Sequence, residues 1–173
     1  MIRYPIGTSG QSIVLATNVL RHFSKHAQTK WWRSEAGGQL FARFQGKIIR
    51  IEEATGPRRG DRRSRTAYHP DKRAEKEEIA EQHRVGLHYV GDWHTHPEAK
   101  PTPSPTDLDS IAECVRSSTH NLNGFILIVV GTKKLPDGLH VLIHDGTSGF
   151  RLSTSEEPEA FCAPHATRSI RWI

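Results

Sequence analysis

The residues best suited to chemistry form one string, Gly91-Asp92-Trp93-His94-Thr95-His96-Pro97, followed by Pro103-Ser104-Pro105-Thr106-Asp107. A catalytic zinc takes three protein ligands and leaves a fourth position for water; His94, His96 and Asp107 meet that need without quenching the metal's Lewis acidity. Side chains on a strand alternate with period two, so His94 and His96 on a strand point from one face toward one ion. A helical pair would need a spacing of three or four. Pro97, Pro101, Pro103 and Pro105 stop the strand and impose an extended loop that returns Ser104 and Asp107 toward the histidines. Ser104-Pro-Thr-Asp107 also reads as a helix start. A His-x-His pair alone is more often an ordinary surface or core pair, and the added serine and aspartate set this one apart.

The full pattern, His-x-His-Pro, six residues, Ser, two residues, Asp, resembles the JAMM motif of the JAB/MPN family of zinc peptidases. The resemblance implies Zn2+ held by His94, His96 and Asp107, a water as nucleophile, and Ser104 stabilising the oxyanion of the tetrahedral intermediate. It also implies an upstream glutamate, before a glycine pair and an apolar strand, as general base and acid. Here that stretch is Glu35-Ala36-Gly37-Gly38-Gln39-Leu40-Phe41. A carboxylate is apt for the role, because zinc brings the pKa of its water to about 7 and the carboxylate can pass that proton to the leaving amine. Glu52, Glu53 and Glu98 are rivals, the first two at the end of the next apolar run and the third within the motif loop. Glu35 has the matching flanks.

Within the family, Tyr89 to Glu98 looks like the bacterial branch found in CBASS anti-phage operons, whose enzymes reverse a ubiquitin-like conjugation. By that resemblance the partner is a protein substrate with a flexible C-terminal tail, a cGAS-like nucleotidyltransferase or a ubiquitin-like protein. Related bacterial enzymes process other ubiquitin-like or sulfur-carrier tails with a similar site. The implied fold is α/β: a single three-layer, cytidine deaminase-like domain over residues 1–173, with a mixed, curved central sheet flanked by helices.

Composition agrees with one enzyme domain. At 173 residues and 35% hydrophobic content the chain suits one core. No apolar run reaches the length of a membrane span and the start Met1-Ile2-Arg3-Tyr4-Pro5 lacks a secretory core, so a cytoplasmic chain without a membrane partner is expected. Cys114 and Cys162 are too few for a disulfide framework and read as reduced thiols, and Cys162-Ala-Pro-His165 finds nothing to complete a metal site.

The elements that must carry the site follow from periodicity. Residues 12–15 read as a strand, and Thr17 as the cap of a helix with Val19, Leu20, Phe23 and Ala27 at helical spacing, ending before Trp31-Trp32. Residues 38–44 and 47–51 form a hairpin around Gln45-Gly46. Asp71 to Arg84 is an exposed amphipathic helix stopped at Gly86. Residues 87–93 deliver the metal ligands, Leu108 to Arg116 is a short helix, residues 125–130 a fully buried strand, and residues 139–144 continue the sheet with His140 or His144 partly buried. His22, His26, His69, His83 and His88 read as solvated or hydrogen-bonded. Gly37-Gly38 serves either close approach of another backbone or turn geometry.

The net charge of +5 concentrates in Arg58-Arg59-Gly60-Asp61-Arg62-Arg63-Ser64-Arg65, inside a loop spanning about 57–66. It reads first as a solvated loop and second as a contact for an acidic partner; nucleic acid is disfavoured by the lack of an aromatic platform nearby. Two other readings compete. A noncatalytic scaffold of the same fold would lack the ligands, which are all present. The loop from His96 to Asp107 also resembles that of RadC proteins, which makes a nucleic-acid-associated protein the alternative. The tail from about 153 to 173 matches no pattern.

Overall fold

The computed structural model describes residues 1–154. The tail beyond, with Cys162 and His165, lies outside the described residues. The chain runs β1 (Ile2–Ile6), β2 (Gln11–Leu15), α1 (Thr17–His26), β3 (Gly37–Gln45), β4 (Ile48–Ala54), β5 (Arg62–Arg63), β6 (Tyr68–His69), α2 (Lys72–Arg84), β7 (His88–Thr95), α3 (Pro105–Ser117), β8 (Phe125–Val130), β9 (Leu139–His144) and β10 (Gly149–Leu152). Eight strands make one sheet in the order β1-β2-β4-β3-β7-β8-β9-β10, while β5 and β6 form a separate two-stranded ribbon. The sheet is mixed: β2 pairs parallel with β4 and β7 with β8, and the other neighbours are antiparallel.

The pleat sorts residues into three layers. Ile126, Ile128 and Val130 of β8 join Trp93 of β7 and Val19 and Phe23 of α1 in the larger core. Phe125, Leu127 and Val129, the alternate residues of β8, pack with Ile111 and Val115 of α3 on the other face. Each of these side chains, withdrawn from water, contributes about 1.5–3 kcal/mol. The buried run Phe125–Val130 is thus apolar on both sides because helices cover both sides. The expected α/β sandwich with a mixed sheet is what forms.

Local differences from expectation have identifiable causes. The N-cap of α1 is Ala16, not Thr17, and no side chain caps it. The start is instead set by β4, through Ala16 N–H to Ile51 O (3.1 Å) and Asn18 Nδ2 to Glu52 O (2.6 Å). The hairpin loop is Gly46-Lys47, one residue later than expected, because Gln45 pairs with Ile48 and Gly46 takes φ +58° at the first loop position. The helix placed from Leu108 begins at Pro105, capped by Ser104, the start that Ser104-Pro-Thr-Asp107 also signals. α2 starts where expected, with Asp71 accepting from the N–H groups of Arg73 and Ala74, and Glu75 is its one buried residue. His144 is buried and accepts from Gly146 N–H, and His140 is half-buried. His22 and His26 are half-buried, their rings packed 5.1 and 6.0 Å from that of Trp93. Among the described residues, no helix is long and apolar enough to cross a membrane.

Candidate metal centre

Strand β7 ends at Thr95, with His94 just inside the strand and His96 just past its end. Thr95 points the opposite way, fully buried, and its hydroxyl accepts Ala36 N–H (2.9 Å) and donates to Gln28 Oε1 (3.1 Å). Thr95 N–H in turn reaches Ala36 O (2.8 Å), so the residue between the histidines clamps the residue beside Glu35. Gly37 pairs with His94 where β3 meets β7. Glu35 is thereby held over the histidine face, where it is 7% exposed.

Asp107 arrives from the first turn of α3. Ser104 Oγ accepts Asp107 N–H (3.2 Å) and Asp107 Oδ2 accepts Ser104 N–H (2.7 Å), a reciprocal cap that fixes the carboxylate. The prolines end the strand and start the helix, as expected from their spacing.

These elements bring four predicted residues to one point. His94 Nε2 and His96 Nε2 are 3.2 Å apart, and Asp107 Oδ2 lies 3.3 Å from the first and 3.4 Å from the second. Donor atoms of a tetrahedral site with bonds of about 2.0–2.2 Å stand about 3.3–3.6 Å apart. The triangle therefore has the size of one face of such a site, and two imidazoles with a carboxylate are a donor set that zinc accepts. Glu35 Oε1 sits farther off, 3.8 Å from His96 Nε2, and its ligand atoms with those of both histidines fall within 4.8 Å of one another. Glu35 could thus make a second triad, but the shorter and nearly equal separations favour Asp107 as ligand and leave Glu35 beside the centre.

Electrostatics separates the two carboxylates. Burial acts to raise the Asp107 carboxyl, yet hydrogen bonds from His94 and His96 and from Ser104 N–H hold it well below the usual carboxylate range. Glu35 goes the other way: burial pushes it up, opposed by the two histidines. His96 is raised by its hydrogen bond to Asp107, against burial.

The rivals lie elsewhere. Glu52 pairs with Arg43 (3.5 Å) and Arg50 (3.4 Å). Glu53 is half-buried, raised by burial and by Glu78. Glu98 is half-exposed in the motif loop, accepts Thr102 N–H, and stays 4.0 Å from His96 Nδ1.

The metal face opens into a cleft of about 660 Å³ whose lining includes Glu35, Ala67, Tyr68, Asp92, Ser104 and Leu127. The basic loop is exposed at Arg59, Arg62, Arg63 and Arg65, as expected of a solvated segment, but it is tethered to the site and its last residue, Thr66, reaches the cleft wall. Glu35 N–H donates to Ser64 O (2.7 Å), and Gln28 Nε2 donates to Arg65 O (2.9 Å). Arg58 turns inward, 12% exposed at its side chain, onto Glu78, Gln39, Thr55 and Glu75. Gly37 and Gly38 admit close approach, but of this chain itself: a Cβ on Gly37 would strike the Tyr68 ring and one on Gly38 the Thr55 backbone. Arg65 of that loop donates to the Trp31 carbonyl, which sets the exposed Trp31-Trp32 pair beside it.

Sequence reasoning missed Gln28, Thr95 and Ser64. Thr95 carried a usable signal, because a hydroxyl on the core face of a strand needs a partner. Ser64 acts through its carbonyl and carries none.

The family model of prokaryotic homologues of the JAB domain matches residues 16–142. A protein named CD-NTase/cGAS isopeptidase from Escherichia coli (strain TW11681) is 27% identical over 129 residues, covering 71% of this chain and 78% of that protein. One of the same name from Vibrio cholerae is 28% identical over 130 residues, covering 70% and 77%. The solution structure of a Desulfitobacterium hafniense protein shares the fold with a TM-score of 0.59 at 17% identity, covering 80% of this chain and 88% of that one. With the match running from the start of α1 into β9, across every residue of the cluster, the chain belongs to the prokaryotic JAB family.

Proposed function

We propose that this chain is a zinc-dependent peptidase or isopeptidase that cuts the amide bond after the C-terminus of a cGAS-like nucleotidyltransferase, reversing its conjugation to target proteins in anti-phage defence. The family and the names of its relatives support the coarser part, a JAB-type peptidase acting on protein conjugates. The observation that carries the reading is the near-equilateral triangle of His94, His96 and Asp107 with Glu35 just outside it.

His94, His96 and Asp107 would hold the ion. When bound, zinc supplies Lewis acidity and a water acidified to about pH 7. Asp107, whose carboxylate is held by Ser104 N–H, would add one negative charge to two neutral imidazoles. Glu35, buried beside the histidines, with that burial pushing its carboxyl up, is suited to taking the proton of the attacking water and delivering it to the leaving amine. Ser104 accepts at Oγ from Asp107 N–H, and its hydroxyl proton remains available for the developing oxyanion. The cleft beside Glu35, walled by Ala67 and Tyr68, takes the extended tail.

The test is cleavage of a conjugate in which a cGAS-like nucleotidyltransferase is joined through its C-terminus to a reporter protein. Wild type with zinc cleaves at that junction, and chelation abolishes cleavage until zinc is restored. Failure on this conjugate with cleavage of a ubiquitin-like or sulfur-carrier tail would move the substrate within the same reaction class. Failure on all three with zinc bound contradicts the peptidase reading.

A further inference from the structure

Trp31 and Trp32 are 76% and 64% exposed, with their rings edge to face and centroids 5.7 Å apart. With Met1 and Val85 they are the exposed large hydrophobic residues among those described. Adjacent tryptophans in water are costly to keep there and mark a contact surface. Their surroundings are cationic. Lys30 Nζ lies 5.8 Å from the Trp32 ring, Arg65 donates to the Trp31 carbonyl, and Arg59, Arg62 and Arg63 are exposed on the same basic hairpin. Arg33, next to Trp32, donates to the Lys25 carbonyl, and residues 17–34 contain no carboxylate.

The patch adjoins the cleft. Glu35 follows Trp32 by three residues, and its N–H is bonded to Ser64 O of the hairpin, whose returning arm places Ala67 and Tyr68 in the cleft wall. The hairpin is held in place by Arg58 on Glu78 and by Gln28 on Arg65 O, so its arginines are presented on a fixed support.

We propose that Trp31, Trp32 and the exposed arginines 62, 63 and 65 form a docking surface for the folded body of the substrate protein, which meets them with an acidic face carrying apolar side chains, while the cleft receives the tail alone. This rests on the peptidase reading above. Charge complementarity selects the partner: a surface with four exposed arginines and a lysine around it repels basic faces and steers acidic ones. Tryptophan and arginine are the residue types that most often dominate such contacts. A base-stacking role fits less well, because each ring abuts the other edge to face and Lys30 lies over Trp32, which restricts the free faces that stacking needs.

The experiment uses the full chain as wild type, Trp31→Ala/Trp32→Ala and Arg62→Glu/Arg63→Glu. Two substrates carry the same reporter, one joined to an intact cGAS-like nucleotidyltransferase and the other to its tail peptide alone. Binding of the nucleotidyltransferase body with its tail removed is measured in parallel by calorimetry. Both variants are expected to lose at least about tenfold in kcat/KM on the intact substrate, through KM, and to cleave the tail peptide as wild type does. Binding of the tail-less body falls in step, and the charge-reversed variant loses its salt dependence. An equal loss on both substrates, no loss on either, or no binding of the tail-less body by wild type overturns the docking surface. Salt-sensitive binding of a single-stranded oligonucleotide that quenches these tryptophans, with KM for the intact substrate unchanged, overturns it in favour of nucleic acid. Binding of the body without cleavage of either substrate supports the surface and counts against the peptidase reading.

Discussion

Ser104 and Asp107 hold each other: the Ser104 hydroxyl oxygen accepts Asp107 N–H at 3.2 Å while the Asp107 carboxylate accepts Ser104 N–H at 2.7 Å. A helix N-terminus thus orients the residue assigned as the third ligand, and the same serine is the candidate oxyanion donor. Ser104→Ala is expected to cost about 1 kcal/mol of stability through the lost cap. It should also lower kcat by about 10²-fold at equal zinc content, the scale for removing one oxyanion donor. Ser104→Thr keeps the cap and should recover most of both. Thermal unfolding, zinc content and turnover on the three proteins check this; a Ser104→Ala protein of unchanged kcat would leave Ser104 only its capping role.

Arg58 is predicted to be structural, unlike its neighbours in sequence. Its side chain is 12% exposed, bonds Glu78, and leaves Nε and Nη1 buried without hydrogen-bond partners among the described residues. Removing one member of such a buried pair costs about 3–5 kcal/mol, whereas exposed arginines are within about 0.5 kcal/mol of neutral. Arg58→Ala should therefore be strongly destabilised in denaturant unfolding and Arg59→Ala should not. Arg58→Met/Glu78→Leu should recover much of the loss.

The acid side of the stability curve should be steepened by His26. Burial, then the charges of His22, Lys25, Arg63 and Arg33, lowers its pKa from 6.5 to about 4. Between those values the unfolded chain takes up a proton that the folded chain refuses. The contribution is therefore full above 6.5 and is lost as pH falls toward 4. Asp92 acts in the opposite sense: burial, with the charge of Glu75, raises it from 3.8 to about 6, so its contribution is full below 3.8 and is lost as pH rises through 6. Melting temperatures of wild type and His26→Gln across this range check the assignment. The variant should lose less stability on acidification, and parallel curves would contradict it.

Legibility in the sequence followed how each residue signals its role. His94 and His96 flank the last residue of a strand, and prolines bracket the return to Ser104 and Asp107, so side-chain type and spacing alone brought the cluster together. Strand β8 was readable because both its faces are apolar. The basic loop was not, because it joins the site through backbone groups, Glu35 N–H to Ser64 O, which any residue types could supply. Arg58 is indistinguishable in sequence from Arg59; only the fold brings Glu78 under it. Strand β1 carries Pro5 and β10 has four residues, both edge strands whose weak patterns hide them.

The central claim separates two carboxylates: Asp107 holds the metal and Glu35 moves the proton. Zinc content and turnover measured together on wild type, Asp107→Ala and Glu35→Gln test it most directly. Asp107→Ala is predicted to lose metal and activity together, and Glu35→Gln to keep wild-type zinc while kcat falls by at least about 10²-fold. Equal zinc loss in both variants would make Glu35 a ligand or a fold residue, and full turnover by Glu35→Gln would remove it from the reaction.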